Sequence, residues 1–93
     1  MNTKDLKCFQ AVYEERSVSR AARRLFITPQ GLSKNIRQLE EELHAVLFVR
    51  TSHGMAPTES GRFLYERSGR VIVQLEEIEN GLRQLEQRRE RIR

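Results

Sequence analysis

The sequence predicts a mainly α fold: three short helices, a small β-hairpin and one long closing helix. Three observations carry that expectation. Apolar residues recur at the 3 and 4 spacing of a buried helical stripe in four separate runs. Between the third and fourth runs, Val46 to Thr51 mixes β-branched and aromatic residues and is followed by the turn-forming Ser52, His53 and Gly54. The last run continues without a proline from Thr58 onward.

Each element has its own local reason. The first helix runs from about Thr3 to Glu15 behind an Asn2 cap, with Leu6, Phe9, Val12 and Tyr13 as its stripe and Cys8 bordering it as a small hydrophobe. Ser17 caps a second helix that turns Val18, Ala21, Ala22 and Leu25 inward and Arg20, Arg23 and Arg24 outward, ending near Phe26. Thr28 and Pro29 read as N-cap and first position of a third helix, since proline has no N–H to lose there. Its inward stripe is Leu32, Ile36, Leu39 and Leu43, which leaves Gln30, Lys34 and Arg37 on the opposite side with Ser33 beside them. Only Phe26, Ile27 and Thr28 join the second and third helices, and so short a link favours a steep crossing of the helix-turn-helix type. Gly54 then supplies positive φ and Met55 to Pro57 return antiparallel, giving a hairpin with His53 at its tip and Arg50 at its base.

The final helix, capped by Thr58, carries a heptad seam. Leu64, Ser68, Val71, Leu75, Ile78, Leu82, Leu85, Arg89 and Ile92 alternate 4 and 3 apart and are apolar at seven of nine places. Gly61, Gly69 and Gly81 each weaken this helix by about 1 kcal/mol relative to alanine, so it needs outside support. The front of the chain is too small to bury the whole stripe. Self-association is therefore expected through Leu64, Val71, Leu75, Ile78, Leu82 and Leu85.

Composition narrows the function. Ninety-three residues, 38% hydrophobic and 32% charged, hold one small domain with an appended element and a modest core. No stretch approaches the roughly 18 apolar residues of a membrane span, and no secretory segment opens the chain, so a cytoplasmic, nucleoid-associated location is expected. Cys8 has no internal disulfide partner and makes no zinc spacing with His44 and His53. No metal or cofactor is expected in this chain. Without a nucleophile beside a base, a paired-carboxylate site or a phosphate loop, neither is an enzyme.

The net charge of +4 admits a polyanionic partner, and its distribution points to one. From Arg16 through Leu39 the charged residues are Arg16, Arg20, Arg23, Arg24, Lys34 and Arg37, with no Asp or Glu among these 24 positions. Glu40, Glu41 and Glu42 follow, repelled by phosphate and mismatched to the negative end of their own helix, which confines contact to its first half. In a helix-turn-helix the second helix enters the major groove by its N-terminal residues while the first spans the backbone. Gln30 has the bidentate chemistry for adenine, Thr28 and Ser33 can bond base or phosphate, and Lys34 or Arg37 can bond guanine or neutralise phosphate. Gly31 lets the backbone come close, and free N–H groups of that first turn can receive a phosphate. Ser17, Arg20, Arg23 and Arg24 fall to the DNA backbone. The competing reading is a helical adaptor that meets an acidic protein or RNA through the same basic face.

Five blocks occur in order: Leu6-Lys7-Cys8-Phe9, Ser17-Val18-Ser19-Arg20-Ala21-Ala22, Leu32-Ser33-Lys34-Asn35-Ile36-Arg37-Gln38-Leu39-Glu40, Leu47-Phe48-Val49-Arg50 and Pro57-Thr58-Glu59-Ser60-Gly61. On these the sequence resembles the LysR-type transcriptional regulators over about residues 1–65. The resemblance implies a winged helix-turn-helix over residues 1–57, three helices plus a β-hairpin wing, followed by a long dimerisation linker helix over 58–93. It implies homodimers or tetramers on inverted repeats at bacterial promoters. DNA contact by the recognition helix and wing arginine falls, by matched position, on Thr28, Pro29, Gln30, Gly31, Ser33, Lys34, Arg37 and Arg50. It also implies an effector-binding domain absent from this chain, through which alone a small molecule would act. Two departures stand out. Pro29 occupies the usual glutamine position, so no base preference transfers. His53 and Met55 replace frequent wing cations, which leaves Arg50 as the fixed charge there and His53 as a titratable one.

Overall fold

A computed structural model describes residues 1–92, with side chains as far as residue 90. The elements are α1 (Thr3–Glu15), α2 (Val18–Leu25), α3 (Pro29–Leu43), β1 (Phe48–Thr51), β2 (Gly54–Pro57) and α4 (Glu59–Ile92). The expected mainly α architecture with one small hairpin is present.

Side-chain caps start the short helices. Asn2 Oδ1 accepts from the Asp5 amide at 2.8 Å while Asp5 Oδ2 accepts from the Asn2 amide at 3.3 Å, a reciprocal capping box. Ser17 accepts from the Arg20 amide at 3.2 Å, and Thr28 from the Gly31 amide at 3.1 Å. All three of these helices end on a non-glycine residue in the left-handed region: Arg16, Phe26 and His44, with φ of 55°, 58° and 52°.

The inward stripes of α1, α2 and α3 meet in one core around Phe9, Val12, Ala21, Ala22, Leu32, Ile36 and Leu39, closed below by Leu47 and Phe48. Cys8 is buried at its margin, and burial pushes its thiol pKa up, as suits a small hydrophobe. Ala22 is fully enclosed where α2 crosses its neighbours. A larger side chain there would force them apart: Ala22→Leu is expected to destabilise by about 1 to 3 kcal/mol, read as a lower denaturation midpoint.

The hairpin pairs Phe48 with Pro57, Val49 with Ala56, Arg50 with Met55 and Thr51 with Gly54. Arg50 thus sits one pair from the turn, a correction to its expected place at the base. Gly54 has φ of 118°, and a Cβ on it would lie 2.3 Å from the Arg16 carbonyl oxygen; the Met55 amide donates to that same oxygen at 3.0 Å. The tip of the hairpin is thereby clamped onto the α1–α2 corner. At the other end Glu40 Oε2 accepts from the Leu47 amide at 2.7 Å. The sequence marked Glu40 only as a charge hostile to phosphate; its structural task is to tie α3 to β1.

Thr58 starts α4, accepting from the Gly61 amide at 3.0 Å. The first half of α4 packs on α1. Tyr65 stacks on Tyr13 with ring centroids 3.9 Å apart, Gln10 Nε2 donates to Ser68 Oγ at 3.1 Å, and Lys7 lies 3.6 Å from Glu76. Here the heptad seam needs correcting: Leu64 is half-buried and Ser68 fully buried against the chain's own body, and Ile72, off the seam, is buried too. The front body therefore extends past residue 58 into α4. Beyond it Val71, Leu75, Ile78, Leu82 and Leu85 remain exposed, and α4 does not fold back. The seam position Ile92 lies outside the described side chains. Thirty-four residues of helix span about 51 Å, which accounts for most of the 60 Å length of the molecule. No helix among the described residues is long and apolar enough to cross a membrane.

Candidate nucleic-acid interface

Three elements converge on one open groove. The start of α2 contributes Ser17, Val18 and Ser19, the outer face of α3 contributes Pro29, Gln30, Ser33 and Arg37, and the hairpin contributes Arg50, Gly54 and Met55. No carboxylate lines it. The Thr28 cap and Pro29 set the rotation of α3, so that burying Leu32, Ile36 and Leu39 turns Gln30, Lys34 and Arg37 outward. The clamp between Gly54 and Arg16 holds the hairpin beside that face. Of the residues expected at the site, Ser17, Pro29, Gln30, Ser33, Arg37 and Arg50 share this groove. Lys34 and Arg23 are exposed nearby, and His53 is exposed on the hairpin turn. Among the described residues Arg23, Lys34, Arg37 and Arg50 make no ion pair within 4.0 Å.

Several residues sit differently from expectation. Arg24 is not free to meet phosphate: it lies 2.7 Å from Glu14 and 3.4 Å from Glu15, on the α1 side of α2. Arg20 donates to the Glu15 carbonyl at 2.9 Å, which anchors its guanidinium at the α1–α2 corner. Gly31 has a structural reason, since a Cβ there would press on Thr28 Oγ1 at 3.0 Å. In the first turn of α3, Pro29 has no N–H and the Gly31 and Leu32 amides are bonded to Thr28, which leaves the amide of Gln30 to meet an anion. Val18 and Ser19 line the groove although sequence reasoning assigned them no part in it; Met55, expected only as a wing position without a cation, joins them because the hairpin register sets it opposite Arg50.

Arg24 belongs to a network joining three helices. The Tyr65 hydroxyl donates to Glu14 Oε2 at 2.6 Å, and this bond, with the Arg24 guanidinium, holds the Glu14 carboxyl below its ordinary value. A carboxyl depressed by folding contributes stability above its unfolded-state pKa and loses it as the pH falls through the folded-state one. Thermal midpoints of the chain and of Glu14→Gln are therefore expected to stay apart above about pH 4.5 and to converge below it. Midpoints that keep a constant gap through the whole acid range would remove Glu14 from the network.

A family profile described as "Bacterial regulatory helix-turn-helix protein, lysR family" matches residues 3–62. The chain belongs to this family. Among curated relatives it is 38% identical over 79 residues to the HTH-type transcriptional regulator YofA of Bacillus velezensis, and 37% identical over 78 residues to the transcriptional activator protein NhaR of Escherichia coli. These alignments take in 85% and 84% of this chain but 27% and 26% of those proteins, so the chain spans about a quarter of their length. Two solved structures share its fold closely. A complex of the BenM DBD with catB site 1 DNA gives a TM-score of 0.82 at 32% identity, covering 91% of this chain and 96% of that one. A CbnR DBD–DNA complex gives 0.84 at 27% identity, covering 91% and 98%. Within this LysR-family chain the hairpin corresponds to the wing and α4 to the long linker helix.

Proposed function

We propose that this chain binds double-stranded DNA at a promoter inverted repeat and regulates transcription there, as a homodimer. In this reading α3 enters the major groove, the hairpin lies along it as a wing, and α4 pairs with its copy. Two recognition helices fixed about a two-fold axis require two half-sites at a set spacing. A small-molecule effector would act through a further domain, with tetramers possible only in that longer form, and this chain itself uses no cofactor. The cytoplasm, at the nucleoid, is the corresponding location.

The observation that carries the reading is the groove face itself: exposed, free of carboxylates, and edged by Arg37 and Arg50 whose charges no acid of the described residues neutralises. Buried or paired cations would serve the fold; unpaired ones beside hydrogen-bonding Gln30 and Ser33 suit phosphates flanking base edges. Competition between a duplex selected from random sequence, a scrambled duplex and RNA tests it. Preference for the selected duplex is expected, and equal binding of all three would favour the adaptor instead.

Two substitutions separate base reading from backbone contact. Gln30→Ala is expected to relax discrimination at one base pair by about 1 to 3 kcal/mol. Arg23→Ala is expected to weaken all duplexes alike and to reduce the slope of log K against log salt by about 0.9. Binding assays across a salt series read both, and an exchange of the two patterns would move the groove to another face.

A further inference from the structure

Phe26 stands out on two counts. Among the described residues it is the most exposed large apolar side chain, at 95%, and it holds φ of 58°, a left-handed conformation that bulky residues rarely adopt. Asparagine or glycine would close α2 there with less strain. The ring is almost wholly solvated while the backbone does the capping: the Phe26 amide donates to the Arg23 carbonyl at 3.2 Å and the Ile27 amide to that of Ala22 at 3.0 Å. Those bonds fix the residue on the last turn of α2. A strained, solvated phenylalanine held rigidly in place is best understood by what it meets outside the chain.

Its location selects the partner. Phe26 lies three residues before Pro29, within about 10 Å of chain from the first turn of α3. With α2 crossing the DNA backbone and α3 inserted, the connection between them runs along the rim of the major groove. The group displayed at that rim with apolar chemistry is the C5-methyl of thymine, and phenylalanine is one of the side chains suited to it. A protein partner fits poorly. Phe26 and Ile27 alone offer far less than the roughly 800 Å² that a stable protein interface buries on each side, and Arg23 stands beside them. One methyl contact needs no such area.

We propose that Phe26 reads a thymine methyl at the edge of each half-site, a specificity contact in addition to the polar ones on α3. This rests on the DNA-binding reading above. The test uses the duplex that the chain selects from random sequence, with each thymine replaced in turn by deoxyuridine, which removes only the methyl. The unaltered chain is expected to lose about fourfold in affinity at one thymine of a half-site, the worth of one buried methyl group. Phe26→Asn is expected to bind the thymine duplex about fourfold more weakly, to be indifferent to that replacement, and to melt at a higher temperature because the strain is relieved. Loss of affinity with gain of stability separates a contact role from a structural one. Equal sensitivity of both proteins at every thymine would overturn the proposal. So would full duplex affinity in Phe26→Asn with an altered sedimentation coefficient, which would assign the ring to a protein contact. Failure to select any duplex would fell the DNA reading itself, whereas selection without methyl coupling fells Phe26 alone.

Discussion

Ile78→Glu is expected to leave a folded chain that sediments as a monomer and binds a two-half-site duplex at least about 100-fold more weakly, with affinity for a single half-site unchanged. Ile78 is 59% exposed and lies in the part of α4 beyond its packing on α1, so the substitution removes no contact from the fold. In a paired α4 the same position falls on the seam with Val71, Leu75 and Leu82. A glutamate there must give up water without gaining a partner, a penalty of several kcal/mol for each ion, and a two-fold pair carries it twice. Loss of pairing turns the second half-site from a tethered event into an independent one, which sets the size of the affinity loss. Asn80→Asp provides the control, since position 80 faces away from that seam. Dimers persisting in Ile78→Glu would show that the exposed stripe is not the contact.

The parts of this molecule legible in its sequence are those determined within a few residues. Asn2, Ser17 and Thr28 each accept a bond from an amide three positions on, so caps and helix starts could be read directly. The outward rotation of Gln30, Lys34 and Arg37 followed from the 4 and 3 spacing of Leu32, Ile36 and Leu39. What escaped depends on partners distant in sequence. Arg24 looks identical in kind to Arg23, yet one more position around α2 carries it to Glu14, itself engaged by Tyr65 of α4. Glu40 read as a misplaced charge until the Leu47 amide was found against it. Ile72 fell outside a strict heptad because the early part of α4 answers to α1 rather than to a copy of itself.

Gly61 is the sharpest of these cases and leads to the other large expected effect. Helix propensity alone says that Gly61→Ala should stabilise α4 by about 1 kcal/mol. The structure reverses the sign. A Cβ on Gly61 would lie 2.3 Å from the Leu47 carbonyl oxygen and 3.4 Å from the Pro57 side chain. Leu47 cannot easily retreat, because its carbonyl accepts from the Thr58 amide at 2.9 Å and its own amide is held by Glu40 at 2.7 Å. The clash must be relieved by moving α4 away from the base of the hairpin, which breaks the bond from Thr58 and loosens Phe48 in the core. A net destabilisation of about 2 to 4 kcal/mol is expected, a fall of roughly 10 to 20 °C in the thermal midpoint of a domain this size. Gly81→Ala is the matched comparison: nothing lies within 4 Å of its Cβ, so it should show the propensity gain undisturbed. If both alanines raised the midpoint equally, the close approach of α4 to Leu47 would be wrong. The seating of α4 on the base of the hairpin would fall with it, while the Gly54–Arg16 clamp at the other end would still hold Arg50 beside α3.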